Sequence, residues 1–115
     1  MSHTSLGRRG EEAVRRYLEG KGYRLADRNF RRRGGELDLI MWDGDVLAVI
    51  EVKTRLNLTF GYPVEAVTKE KQRRIRLCTE VYLMERELDV PVRFDVVEVL
   101  ARGDRARVHH IRNAF

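Results

Sequence analysis

The stretch GELDLIMWDGDVLAVIEVK, Gly35 to Lys53, constrains the fold more than any other part of the chain. Two apolar runs flank an Asp43-Gly44 pair, the signature of a tight β-hairpin. With Asp43 and Gly44 at the centre of the turn, Trp42 lies across from Asp45, Ile40 from Leu47, Asp38 from Val49 and Glu36 from Glu51. Side chains alternate between the faces of a strand. One face then carries Leu37, Leu39, Met41, Ala48, Ile50 and Val52, a continuous core surface. The other carries Glu36, Asp38, Glu51 and Lys53. In this register Asp38 and Glu51 are diagonal neighbours, about 7 Å apart.

Carboxylates brought together on a sheet repel one another. They respond by holding a proton or by recruiting a cation. Oxygen ligands suit a hard ion such as Mg²⁺ or Mn²⁺, and such an ion can activate water and polarise a phosphate oxygen. Lys53, beside them, would then stabilise negative charge developing on a phosphate. The plainer alternative is a set of solvated strand-end charges, with Glu51 and Lys53 neutralising each other.

The rest of the chain supports one α/β domain over residues 1–115. Residues from about Ser5 to Lys21 carry Leu6, Gly10, Ala13, Val14, Tyr17 and Leu18 at helical spacing, with Ser5 as the N-cap and Gly22 as the stop. YRLADRNFRR reads as a strand and Gly34-Gly35 as a turn. Arg55 to Pro63 reads as a loop. A second helix is predicted after Thr68, running to about Glu87. It has one apolar stripe of Ile75, Cys78, Thr79 and Tyr82 and another of Leu77, Val81, Met84 and Leu88. A helix apolar on two sides is buried twice, or buried once and paired with a partner. VRFDVVEVL and RVHHI are the last strands, which gives the order α-β-β-β-α-β-β. The second helix would join two parallel strands.

Composition narrows the function classes. Of 23 basic residues 19 are arginine, against 18 acidic residues, for a net charge of +5. Arginine's planar fork suits phosphate, so clustered arginines suggest nucleic acid. No apolar run reaches the ~18 residues of a membrane span, and the N-terminus lacks a signal-peptide core. A lone cysteine, Cys78, excludes an internal disulfide. The expectation is a cytoplasmic protein with no membrane partner. His109 and His110 are expected at the surface, and Asp95 as a buried aspartate paired with arginine.

A helix acid, then an Asp, then Glu-x-Lys closing the next strand resembles the PD-(D/E)XK nuclease superfamily. More narrowly, the whole chain resembles the YraN-type uncharacterised protein family 0102. The residues that carry this are GEE at Gly10 to Glu12, GY at Gly22-Tyr23, RNFR at Arg28 to Arg31, GGELDLI at Gly34 to Ile40 and IEVKTR at Ile50 to Arg55. FGYP at Phe60 to Pro63, AVTKEKQRR at Ala66 to Arg74, RFDVV at Arg93 to Val97 and the terminal IRNAF complete the set. In its acidic spacing the chain is also similar to archaeal Holliday-junction resolvases.

The resemblance implies a restriction-endonuclease-like core, a central mixed sheet with flanking helices. It implies a metal-dependent nuclease acting on DNA, with branched or otherwise structured DNA as the substrate class. Asp38 and Glu51 match the two metal-binding carboxylates, Lys53 the catalytic lysine and Glu11 the helix acid of the resolvase-like branch. Leu37 stands where the superfamily pattern has proline. Glu36 is either a further metal ligand or a salt-bridge partner of the Arg31-Arg33 run. Mg²⁺ or Mn²⁺ is the implied cofactor. Arg31, Arg32, Arg33, Arg55, Lys71 and Gln72 are the candidate DNA contacts, although the arginine run could equally be a solvated loop and Lys71 an exposed lysine at a helix start. By analogy with resolvases, the second stripe of the long helix could form a homodimer surface. The alternative function is a nucleic-acid-binding or DNA-processing accessory protein that cleaves nothing.

Overall fold

The computed structural model describes residues 5–55, 67–102 and 104–115. The elements are α1 (Ser5–Glu19), β1 (Arg24–Arg32), β2 (Gly35–Asp43), β3 (Val46–Arg55), α2 (Lys69–Glu85), β4 (Val92–Arg102) and β5 (Arg105–Ile111). The strands form one sheet in chain order, β1-β2-β3-β4-β5. Only β3 and β4 run parallel; the other three pairings are antiparallel. The parallel pair is the one that encloses α2, as the sequence suggested. Most of the expected Arg55–Pro63 loop, with the FGYP motif, lies outside the described residues, and Arg55 itself closes β3.

Each helix covers one face of the sheet. On one side Val14 and Leu18 of α1 pack on Leu39, Met41, Ala48, Ile50, Val97 and Val99. On the other, Ile75, Cys78 and Tyr82 of α2 pack with Phe30, Leu37, Ile40, Leu47, Val49 and Val96. Burying a side chain of this size contributes about 1.5–3 kcal/mol, so both faces are core. The α2 stripe of Ile75, Cys78, Thr79 and Tyr82 is buried as its spacing predicted. Thr68 caps the helix, accepting a bond from the Lys71 N–H at 3.1 Å. Along the second stripe the pattern is mixed: Leu77 and Met84 are exposed, while Val81 and Leu88 lie partly buried against the core.

Two glycines set how closely the helices approach. A Cβ on Gly10 would fall 1.9 Å from Thr54 Oγ1, so α1 rests directly on the end of β3. A Cβ on Gly35 would meet the Arg74 carbonyl at 3.0 Å and Cys78 Cβ at 3.1 Å, where β2 begins under α2.

The hairpin corrects the predicted register. Asp43 pairs with Val46, Trp42 with Leu47 and Ile40 with Val49, so Gly44 and Asp45 are the central turn residues. Gly44 has φ +60°, which fits a turn that demands glycine at its first central position. The shift is by two residues and keeps every β3 side chain on its expected face. It moves Asp38 from opposite Val49 to opposite Glu51, one step beyond the last pair, Leu39–Ile50. A second correction concerns Leu37, which joins the α2-side core while Leu39 joins the α1-side core. The alternation breaks between them, at Asp38, so the predicted uninterrupted apolar face does not form. Asn29, set across from Asp38 by the neighbouring pairs Arg28–Leu39 and Phe30–Leu37, has φ 52°. The distortion therefore touches both strands without a change of register there; the register shift of the β1–β2 pair lies between Leu25 and Asp27.

On β4, where its register partner is Ile50, Asp95 is fully buried. Arg93 grips it through two bonds of 2.9 Å, as expected for a structural aspartate. His110 is not a surface residue. Its Nε2 lies 2.8 Å from Asp95 Oδ2 and its side chain is 11% exposed. His109 alone keeps the predicted exposure.

Candidate functional site

The candidate site forms where the β2–β3 ladder ends. Because the strands stop pairing there, the Val52 N–H donates to Asp38 Oδ2 at 2.9 Å instead of to a backbone carbonyl. That bond holds the Asp38 carboxyl beside Glu51, which is 6% exposed. Burial first, then the charge of Glu51 and a hydrogen bond shared with it, push the Asp38 pKa up to about 8. Glu11 adds a smaller push in the same direction. At neutral pH Asp38 therefore favours its protonated form in the absence of a cation.

Glu11 is 7% exposed and reaches the sheet because Gly10 lets α1 settle on β3. Its Oε1 accepts a 2.9 Å bond from Asn29 Nδ2, on the strand across from Asp38. Asn29 thus ties the helix acid to the edge of the site. Glu36 accepts from Arg31 Nη2 at 3.2 Å, the salt-bridge role foreseen as its alternative to metal ligation.

From the other face Lys71, on the first turn of α2, places Nζ 2.5 Å from Glu51 Oε2. Partial burial pulls its pKa down. The hydrogen bond and charge of Glu51, with Asp38 and Glu36 beyond, outweigh that and raise it above the ordinary lysine value. Asp38, Glu51, Glu36 and Lys71 line a cleft of ≈ 900 Å³ between α2 and the β1–β2 turn. Arg32, Arg33, Arg73 and Arg74 supply its basic walls.

The remaining sequence candidates lie elsewhere. Lys53 is half-buried on β3, on the same face as Glu51, and forms no ion pair among the described residues. Arg55 lies with its Nε 3.0 Å from Glu98 Oε2. The Gln72 side chain donates to the Val67 carbonyl at 2.8 Å, so its amide is engaged in holding the start of α2. Arg32 holds Glu85 at 2.5 and 2.8 Å and stacks over Phe30, which leaves its guanidinium on the cleft rim but already paired.

One residue of interest was missed. Glu98 is 2% exposed, and its register partner on β3 is Lys53. Its Oε2 has no well-aligned hydrogen bond among the described residues, despite the nearby Arg55. Knowing that β3 and β4 run in parallel register would have pointed to it; the sequence order alone did not.

Among the described residues no three His, Cys, Asp or Glu side chains form a ready metal cage. The donor set still suits Mg²⁺ or Mn²⁺ in kind. Such ions are commonly held by one or two carboxylates, with waters and substrate phosphate filling the rest. Asp38 and Glu51 are two such groups held together, with Lys71 as a counter-charge to Glu51. The other end of the chain's chemistry is absent from the helices: among the described residues no helix is long and apolar enough to cross a membrane.

Residues 10–99 match the family described as "Uncharacterised protein family UPF0102", a span that holds Glu11, Asp38, Glu51, Lys53 and Lys71. A UPF0102 protein of Alkaliphilus metalliredigens is 43% identical over 96% of this chain and 97% of its own length. One from Rhodococcus opacus is 47% identical over the full length of both chains. Another, from Syntrophotalea carbinolica, is 46% identical over 96% of this chain and 91% of its own. The match covers both helices' packing surfaces, the hairpin and the carboxylate pair, and on it the chain belongs to the family UPF0102.

Proposed function

We propose that this protein is a metal-dependent nuclease that cleaves phosphodiester bonds in DNA, on a restriction-endonuclease-like core of the PD-(D/E)XK type. The observation that carries the reading is the Asp38–Glu51 pair, held side by side at the edge of a cleft with arginine and lysine walls. A fold gains nothing in stability from crowding a half-buried carboxyl group, Asp38, against a buried one, Glu51. Strained titratable pairs of this kind in a basic cleft mark a site rather than a scaffold.

Asp38 and Glu51 would hold Mg²⁺ or Mn²⁺, with Glu11 and Glu36 bordering the site. When bound, such an ion polarises a phosphate oxygen and lowers the pKa of water. Lys53, two residues beyond Glu51 on the same face, would stabilise charge developing on the scissile phosphate. Arg33, Arg73 and Arg74 would hold flanking phosphates without reading bases. Structured or branched DNA is the preferred substrate class in this reading, and the exposed Leu77 and Met84 on α2 are the surface a second copy would cover.

The second reading is a nucleic-acid-binding protein without cleavage. Lys71 favours it, because its ammonium already gives Glu51 a counter-charge.

Labelled four-way junction, flap, single-stranded and linear duplex DNA, incubated with Mg²⁺, Mn²⁺ or EDTA, separate the two. Cleavage that needs the ion and disappears in a Glu51→Ala, Lys53→Ala variant is the expected result. Salt-sensitive binding with no cleavage under any ion selects the second reading.

A further inference from the structure

The position of Lys71 bears on how the carboxylate pair is filled. Its Nζ lies 2.5 Å from Glu51 Oε2, and it feels the charges of Asp38 and Glu36 at longer range, so one ammonium holds one carboxylate of the pair and lines the same cleft as the other. The backbone beneath it is pinned. The Lys71 N–H bonds Thr68, and the neighbouring Gln72 side chain bonds the Val67 carbonyl. The side chain is held at its tip by Glu51, while 51% of it is exposed and it lines the cleft. Fixed backbone and exposed side chain are what an exchangeable counter-ion requires.

We propose that Lys71 is a tethered stand-in for a divalent cation. The cation and the ammonium occupy the carboxylate pair in turn, and entry of one displaces the other from the pair into the open cleft. This rests on the nuclease reading only in taking a divalent cation as the natural ligand of Asp38 and Glu51. Two like charges cannot share the same carboxylate edge at close range without severe repulsion. The apparent affinity for the ion is therefore reduced by the fraction of molecules in which Lys71 holds Glu51. With that contact formed about nine-tenths of the time, the reduction is about tenfold. The displaced ammonium becomes available to a phosphate only after the ion has bound, which orders the two events.

The test is Mn²⁺ titration calorimetry on the full chain, comparing the parent with Lys71→Met and Lys71→Arg. Lys71→Met, which keeps the stem and removes the charge, is expected to bind about tenfold more tightly, and Lys71→Arg to stay near the parent. An independent readout needs no substitution. The chain has only four lysines, Lys21, Lys53, Lys69 and Lys71, so their side-chain ¹³Cε signals can be resolved in labelled protein. Addition of Mg²⁺ should move the Lys71 signal toward that of a solvated lysine. Parent and Lys71→Met binding Mn²⁺ equally, or a Lys71 signal unmoved at saturation, overturns the exchange and leaves the nuclease reading intact. Failure of both proteins to bind any ion overturns the exchange and the nuclease reading together.

Discussion

Asp38 and Asp95 are two inward aspartates of one sheet, with opposite treatment. Asp95 is fully buried yet accepts two bonds from Arg93, one from the Asn113 N–H, and pairs with His110 at 2.8 Å. Burial alone would raise its pKa, but His110, Arg93 and the Asn113 N–H bring it down to about 2. Arg93 is itself shared with Asp43 at 2.7 Å and Tyr23 at 3.0 Å, which closes the network. Asp38 receives one backbone N–H and faces another carboxyl, and its pKa rises to about 8. The chain surrounds the buried Asp95 with compensating partners, and around the half-buried Asp38 it does not. The cluster around Asp95 is built for the fold, whereas the cluster around Asp38 leaves room for something that is not part of the chain.

The comparison breaks most directly by removing each charge in turn. Asp95→Asn should cost about 3 kcal/mol in urea unfolding, because it strands buried donors that the carboxylate satisfied. Asp38→Asn should change stability by less than about 1 kcal/mol, or increase it, since it removes repulsion and keeps an acceptor for Val52. Equal losses at both positions would show that Asp38 is as structural as Asp95.

A finer contrast lies in pH, measured in metal-free buffer. Asp95 has a folded pKa of about 2, below its ordinary 3.8. Its contribution is therefore present above 3.8 and lost as pH falls toward 2. Asp38 has a folded pKa of about 8, above the same 3.8. Its protonated form favours the folded state fully below 3.8, and that advantage fades as pH rises through 8. Urea midpoints at pH 5, 7 and 9 should fall across the series in the parent and fall less in Asp38→Asn. A parallel decline in both proteins would place the source elsewhere.

Much of this architecture could be read from periodicity. The buried stripe of α2, its start after Thr68 and the order of all seven elements follow from local patterns that act within one element. The hairpin was harder. Asp43-Gly44-Asp45 permits two turn placements, and the choice depends on which residue takes the positive φ, a preference that an Asp-Gly pair alone leaves open. The break at Asp38 depends on Asn29 of a different strand, so no window around Asp38 contains it. Glu98 and His110 were opaque for the same reason: each owes its burial to its place in the sheet, and His110 also to Asp95, fifteen residues away. What lies within one element was legible, and what needs two strands in register was not.

The position of Cys78 has a practical consequence. It is the chain's single thiol, 4% exposed, and it belongs to the wall of the same cleft as Asp38 and Lys71. Burial raises its pKa, so alkylation by a maleimide should be slow at neutral pH and governed by access through the cleft. The native chain thus carries its own occupancy gauge. A nucleic acid that fills the cleft should slow thiol labelling further, while one bound on the far side, over α1, should leave the labelling rate unchanged.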